Sequence, residues 1–148
     1  MKNQHGFTLI EVLIATALVA ILAAAAISSY AAYRERVRVA DARLTISAVS
    51  AKIMLYEVDA RAYPASLAAI GITQPDPWGR PYVYVDLTLI NGKGMARKDR
   101  RLNPLNSDFD LYSLGKDGLS KNQITNKESL DDVLRARDGA FIDLAANF

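Results

Sequence analysis

The segment GFTLIEVLIATALVAILAAAAISSY, residues 6–30, decides the fold of this chain. No charged side chain occurs from Val12 to Tyr33, and an apolar helix of that length spans roughly 30 Å of hydrocarbon. Glu11 lies just before this run, where an ionised carboxylate is costly unless a cation accompanies it. The segment therefore predicts a membrane-spanning helix whose acid needs a partner.

Three classes of segment fit this pattern: a cleaved secretory signal peptide, an ordinary membrane anchor, and an apolar helix buried in a protein assembly. The run is longer than the core of a typical signal peptide and follows an acid, which disfavours the first class. A cut after Gly6 would supply a cation for Glu11, because the new amino group of Phe7 would lie about one helical turn away.

The N-terminal residues carry a family resemblance. Gly6, Phe7, Thr8-Leu9-Ile10 and Glu11, followed by the apolar run, resemble the class III signal of type IV pilins and type II secretion pseudopilins. The resemblance implies that a prepilin peptidase cleaves between Gly6 and Phe7 and methylates the new amine of Phe7. It also implies that Glu11 pairs with the Phe7 amine of a neighbouring subunit during filament assembly, since two desolvated opposite charges lower each other's penalty.

Three motifs further along the chain narrow this resemblance to the major pseudopilin of type II secretion systems. They are Y-P at 63–64, D-P-W-G-R-P-Y at 76–82 and D-F-D-L-Y-S-L-G-K-D-G at 108–118. The resemblance implies an α+β pilin fold, in which a long N-terminal helix packs on a small antiparallel β-sheet followed by a C-terminal loop or short helix. The implied segments are a leader at 1–6, a transmembrane assembly helix at 7–33, its amphipathic continuation at 34–60 and a periplasmic globular domain at 61–148.

Local patterns predict the elements of this domain. Apolar residues recur at helical spacing in two stripes, which we expect to form one broad face of the helix against the sheet. Residues 82–89 and 108–114 are rich in strand-forming or alternating residues and predict an antiparallel pair joined by the loop 91–106. Trp78 is predicted to pack in the core on the helix. The two stripes are Leu44, Ala48, Ala51 and Leu55, and Ile46, Val49, Ile53 and Tyr56.

Calcium is the one cofactor that the resemblance offers. Asp117 matches the family's ligand in the G-x-D-G turn, and Asp132 of the Asp131-Asp132 pair is the candidate second acid. The same pair also fits the N-terminus of a helix capped by Ser129 and ending near Gly139, so ligation and capping both remain open. Asp108 and Asp110 share a strand face and are predicted to be solvated.

Two departures from the family carry further predictions. The family often places Gly and Pro in the membrane helix at positions that read Ala20 and Ser28 here, which predicts a more continuous helix, including in the assembled filament. The loop 91–106 is long and basic, and it is either a contact patch for an acidic neighbour or for nucleic acid, or a solvated loop. The lack of interleaved aromatic residues disfavours nucleic acid. The basic residues are Lys93, Arg97, Lys98, Arg100 and Arg101.

Composition argues against an enzyme. The 148 residues contain no cysteine, and His5, the sole histidine, lies in the predicted leader. No glycine-rich phosphate loop or acid pair suited to acid–base chemistry is apparent. The net charge of +2 is too small to imply an acidic partner by itself.

The resemblance therefore predicts a structural subunit of a periplasmic pseudopilus that serves protein export. Its expected partners are other copies of itself, minor pseudopilins or pilins, the prepilin peptidase, an inner-membrane platform protein with its assembly ATPase, and the membrane. Lys2 favours a cytoplasmic N-terminus and a periplasmic C-terminal domain, although the cluster Arg34, Arg36 and Arg38 acts in the opposite direction. A pilin for adhesion, motility or DNA uptake is the alternative, and a singly anchored binding domain is a third class.

Overall fold

The computed structural model describes residues 6–89 and 94–148. They belong to two compact units, the first ending at Val37 and the second comprising Arg38–Phe148. Helix α1 runs from Leu9 to Ala60 and passes positions 20 and 28 without a break. Among the described residues, α1 is the one helix that is long and apolar enough to cross a membrane. Its apolar part belongs to the first unit. That the helix also stays continuous in an assembled filament remains a prediction.

The second unit contains a four-stranded antiparallel sheet in the order β1-β2-β3-β4. The predicted strand pair is confirmed: β1 pairs with β2 in a register that sets Val83 opposite Tyr112 and Asp86 opposite Phe109. The α+β pilin fold class is confirmed as well, since α1 packs on this sheet. The strands are β1 Val83–Asp86, β2 Phe109–Ser113, β3 Val133–Ala136 and β4 Phe141–Leu144.

One face of the sheet forms a core with the helix. Ile46, Val49 and Ile53 pack with Phe109 and Leu111 of β2, and their burial removes a continuous apolar surface from water. Trp78 packs against this core as predicted, partly buried.

The prediction that both stripes of the helix face the sheet is wrong. Leu44 and Leu55 of the first stripe are 71% and 63% exposed, whereas Ile46 and Ile53 are fully buried. Residues two positions apart on a helix differ by about 200° around its axis, so Leu44 cannot share a face with Ile46. The first stripe is therefore an exposed apolar surface on the opposite side of α1.

The other face of the sheet is covered by loops and carries a second core. Leu134 and Ala136 of β3 pack there with Leu105, Ile124 and Ala145. Because both faces are covered, an alternating strand such as β2 buries its polar positions too. The prediction that Asp108 and Asp110 are solvated is wrong: Asp110 is 1% exposed, and the Asp108 carboxylate pairs with the buried guanidinium of Arg135 at 2.7 Å.

The helix predicted from Ser129 to Gly139 is also wrong, because Val133–Ala136 is strand β3. All four of its residues are buried, and pairing with β2 on one side and β4 on the other satisfies its backbone, which outweighs the local capping pattern. Ser129 caps no α-helix. Its hydroxyl accepts from the Lys121 amide and donates to the Lys121 carbonyl, while Asn126 caps a short 3-10 turn at Lys127–Ser129.

Candidate functional site

The predicted cleavage point lies in exposed chain that precedes the helix. Phe7 is 90% exposed. A Cβ atom built at Gly6 would meet nothing within 4 Å, so no crowding in this structure demands glycine there. The two residues of the predicted cut are therefore accessible, and packing in this structure makes no demand for glycine at position 6.

Glu11 closes a capping box at the start of α1. The Thr8 amide donates to Glu11 Oε2 at 2.8 Å and the Thr8 hydroxyl donates to the same oxygen at 2.9 Å. In return, the Glu11 amide donates to the Thr8 hydroxyl at 3.3 Å. This reciprocal pair satisfies amide groups that the first turn of a helix leaves without partners.

The capping box is a second role for Glu11 that the sequence reasoning missed. The spacing Thr8-x-x-Glu11 ahead of an apolar run is the sequence signal that predicts it. An acid in the first turn is also favoured by the helix dipole. Glu11 is thus held by its own chain whether or not another subunit provides a cation.

The D-P-W-G-R turn is attached to the sheet through Asp76. Its Oδ1 accepts from the amides of Trp78 and Arg80 at 3.0 and 2.8 Å, which forms the turn, and its Oδ2 accepts from the hydroxyl of Ser113 at the end of β2. Asp76 is buried, and Gly79 supplies the positive φ of the turn. This motif therefore places Arg80 beside the G-K-D-G turn that follows β2.

The G-K-D-G turn is closely packed against the acid pair. Gly115 has φ +61°, and a Cβ there would lie 2.2 Å from the backbone oxygen of Asp131. The Asp117 amide donates to Asp131 Oδ2 at 2.9 Å. Arg80 donates from Nη1 to the Gly115 carbonyl at 2.7 Å and from Nη2 to the Lys116 carbonyl at 3.3 Å.

The two candidate calcium ligands have different environments. Asp117 is exposed and its Oδ1 accepts from the Leu119 amide at 2.7 Å. Asp132 is fully buried, and its Oδ2 accepts from Arg97 Nη2 and from the Ser120 hydroxyl, each at 2.6 Å. Burial raises the pKa of Asp132 to about 6, although Arg97 and Ser120 act in the opposite direction.

These environments do not fit a calcium site built on Asp117 and Asp132. Calcium requires six to eight oxygen ligands, and the Asp132 carboxylate is already bound to a cationic guanidinium. The buried Oδ1 of Asp132 has no hydrogen-bond partner in the structure, but a divalent ion there would share one carboxylate with Arg97. Within residues 6–89 and 94–148, no group of three or more Asp, Glu, His or Cys side chains is placed to hold a metal ion.

Arg97 also changes the interpretation of the basic loop. Both readings of that loop placed Arg97 in solvent, and this is wrong because the side chain is 2% exposed. Arg100 and Arg101 are exposed, and Lys93 lies outside the described residues. The loop is not a free arm, because its Lys98 amide and carbonyl bond to Asn122 and Ile124 at 2.8 and 3.0 Å.

Comparison with known proteins finds both a matching family motif and relatives that cover most of this chain. The prokaryotic N-terminal methylation motif family matches residues 1–27. The type II secretion system core protein G of Pseudomonas aeruginosa is 30% identical over 139 residues, which cover 79% of this chain and 87% of that protein. The chain belongs to the core protein G family of type II secretion systems. The resemblance to type IV pilin-like proteins is thereby confirmed.

Pilins match as well. A fimbrial protein of Neisseria meningitidis is 27% identical over 147 residues, covering 97% of this chain and 86% of that protein. The type IV major pilin protein PilE1 of Neisseria gonorrhoeae is 35% identical over 72 residues, or 49% of this chain. No solved structure matches this chain as significantly as these relatives do. Membership of this family together with the apolar part of α1 makes the chain a membrane-anchored, single-pass protein.

Proposed function

We propose that this chain is a non-enzymatic structural subunit of a periplasmic pseudopilus that drives protein export through a type II secretion system. The observation that carries the proposal is the extent of the similarity, which includes 87% of core protein G from Pseudomonas aeruginosa. A match confined to the N-terminal signal would fit any pilin-like protein. Here the globular domain matches too.

The proposal includes processing by a prepilin peptidase. The enzyme cuts between Gly6 and Phe7, removes the leader 1–6 and methylates the Phe7 amine, while the remaining apolar helix stays in the mature subunit. The match of residues 1–27 to the methylation motif family supports this step, as does the exposure of Phe7.

Assembly then uses both the first turn and the exposed side of α1. Capping occupies one oxygen of Glu11, and a carboxylate accepts about four hydrogen bonds, so Glu11 can cap its own helix and still bind the Phe7 amine of a neighbour. The exposed stripe that includes Leu44 and Leu55 offers apolar surface for packing against other copies.

The proposed location of the subunit follows from this processing and assembly. Before assembly the subunit spans the inner membrane once, with its N-terminus in the cytoplasm and the domain at 61–148 in the periplasm. Its partners are other copies of itself, minor pseudopilins, the peptidase, and the inner-membrane platform protein with its assembly ATPase. Nucleic acid is not among them.

A pilin of a type IV pilus, for adhesion, motility or DNA uptake, is the second candidate function. The observation that favours it is the fimbrial protein of Neisseria meningitidis, which aligns with 97% of this chain. Deletion of the gene separates the two functions: loss of exported proteins from the medium with surface pili unchanged supports the pseudopilus, and loss of pili alone supports the pilus.

Replacement of Glu11 by Gln tests the assembly step. Gln retains the capping box but removes the charge, so the charge pairing with the Phe7 amine is lost together with the smaller interaction with the helix dipole. We expect normal membrane insertion and normal cleavage, but at least about tenfold less subunit in sheared and pelleted filaments.

The matched control replaces Thr16 by Val. Thr16 donates to the Leu13 carbonyl within the same helix and takes no part in the capping box, so filament yield should stay at the wild-type level. Wild-type filament yield from Glu11→Gln would refute the pairing.

A further inference from the structure

Arg97 lies at the centre of the loops that cover the outer face of the sheet. Its Nη2 donates to Asp132 and its Nη1 donates to the Ser120 hydroxyl, each at 2.6 Å. The guanidinium carbon lies 4.0 Å from the centroid of the Tyr112 ring. These contacts join the loop after β1 to β2 and to the segment before β3.

The main chain of Arg97 is held as firmly as its side chain. The Arg97 amide donates to Asp110 Oδ2 at 2.7 Å, and its carbonyl accepts from the Leu105 amide at 2.8 Å. Asn106 in turn donates to Asp110 Oδ1 at 2.9 Å and to the Arg135 carbonyl at 3.0 Å. The buried cation is thus fixed in position by groups from four different parts of the domain.

Arg80 acts in the same way at the G-K-D-G turn. Its guanidinium occupies the carbonyl oxygens of Gly115 and Lys116, which are the kind of ligand that a calcium ion at this turn would need. A Cβ atom at Gly118 would lie 2.5 Å from the Arg80 guanidinium carbon, so the side chain packs directly on the turn. A calcium ion bound through these two carbonyl oxygens would lie beside the Arg80 guanidinium, so the positive charge of Arg80 disfavours an ion at this turn.

We propose that the buried Arg97 and the partly buried Arg80 are the cations that close the loops around β2 and β3, so that the domain folds and stays closed without calcium. A guanidinium suits this role because it is always charged and presents five donors in a fixed plane. Arg80 thereby holds the carbonyl oxygens of Gly115 and Lys116. Arg97 holds the Ser120 hydroxyl and the Asp132 carboxylate. The inference concerns the fold of the domain and does not depend on how subunits assemble.

Urea unfolding of the full chain in detergent micelles tests the proposal. Trp78, the only tryptophan, packs on the core and reports the unfolding of the domain. We expect the unfolding midpoint to be the same in millimolar calcium chloride and in excess chelator. A midpoint that rises with calcium concentration would overturn the proposal, because a folded-state site adds stability by mass action.

Replacement of Arg97 by Met tests the cation itself, with the exposed Arg100→Met in the same loop as the matched control. Arg97→Met leaves buried acids without their cation, and we expect its midpoint to fall by on the order of 1–2 M urea, with or without calcium. Arg100→Met should keep the wild-type midpoint. Equal midpoints for the two variants would refute the role of Arg97.

If Arg97→Met fails to fold, two further measurements decide. Arg97→Lys retains the charge but loses the fork of donors, so we expect a folded protein of intermediate midpoint. The comparison of calcium with chelator on the wild type requires no variant. A wild-type protein that unfolds on chelation would refute the proposal whatever the variants do.

Discussion

Two carboxylates of this chain are held in apolar surroundings by different means. Glu11 lies in an apolar segment, and its partner in the subunit is Thr8, three residues away. Asp132 is fully buried in the domain, and its partner Arg97 is 35 residues away. The first arrangement leaves the carboxylate accessible to another chain, whereas the second closes around it.

The comparison shows that burying a carboxylate inside the subunit makes it unavailable to another subunit. A carboxylate paired inside the domain strengthens the subunit but cannot bind a neighbour. A carboxylate held only by its own first turn contributes little to the domain and remains able to bind one. Stability of the subunit should therefore depend on Asp132 and Arg97, and assembly on Glu11.

The largest effect should come from replacing Asp132 by Ala, which removes the oxygen that accepts from Arg97 and Ser120 and leaves a cavity beside the buried guanidinium. We expect the free energy of unfolding to fall by about 3 kcal/mol. Urea unfolding followed by Trp78 fluorescence measures it. Asp131→Ala is the matched control, since Asp131 is partly exposed and its carboxylate accepts from an amide rather than from a cation. Similar losses of unfolding free energy in the two variants would show that the buried pair of Asp132 and Arg97 has no special part in stability.

Replacement of Gly115 by Ala tests the packing that brings the turn against the acid pair. A Cβ there would overlap the Asp131 backbone, and we expect a loss of about 2 kcal/mol. Gly79→Ala is the control, because Gly79 also has positive φ but open space around it. The excess loss in Gly115→Ala isolates the crowding, and equal losses would mean that only backbone strain matters.

Replacement of Thr8 by Val removes the two hydroxyl bonds of the capping box but keeps the Glu11 charge and the amide of residue 8 that donates to it. We expect amides in the first turn of α1 to exchange with solvent about fivefold faster, as a lost cap predicts. Hydrogen exchange in detergent micelles with mass spectrometry measures this, with Thr16→Val as the control. Exchange unchanged from wild type would mean that the Thr8 hydroxyl contributes nothing to the stability of the helix start.

The smallest effect is the pH dependence of the domain. The pKa of Asp132 is raised by burial from 3.8 to about 6, so the folded protein binds more protons than the unfolded chain between these values. Stability should therefore rise as pH falls from 7 to 5, by about 1 kcal/mol. Burial also raises the pKa of Asp110, which acts in the same direction. Asp132→Asn should lose most of this rise, and a variant that keeps all of it would show that Asp132 does not titrate there.

The features that the sequence predicted correctly are those that depend on residues close together in the chain. Helix α1 follows from its composition and spacing, and the pair β1 and β2 follows from two strand-like runs. Strand β3 was mistaken for a helix because its decisive interactions are with two other strands.

The candidate site divides in the same way. The capping box of Thr8 and Glu11 could be predicted from its spacing, but the sequence analysis considered only a cationic partner for Glu11. The pair of Arg97 and Asp132 carries no local signal, since nothing in a basic loop marks which arginine will turn inward. Asp110 on an alternating strand was equally undetectable, because only the loop that covers it makes its face an interior.

The central claim, that the chain is processed and assembled as a pseudopilin, is tested most directly at the N-terminus of the polymer. Filaments sheared from cells that carry the prepilin peptidase should yield, by mass spectrometry, a subunit that begins at Phe7 with a methylated amine. A subunit in the same filaments that begins at Met1 would contradict the claim, because Glu11 would then lack the amine on which assembly depends.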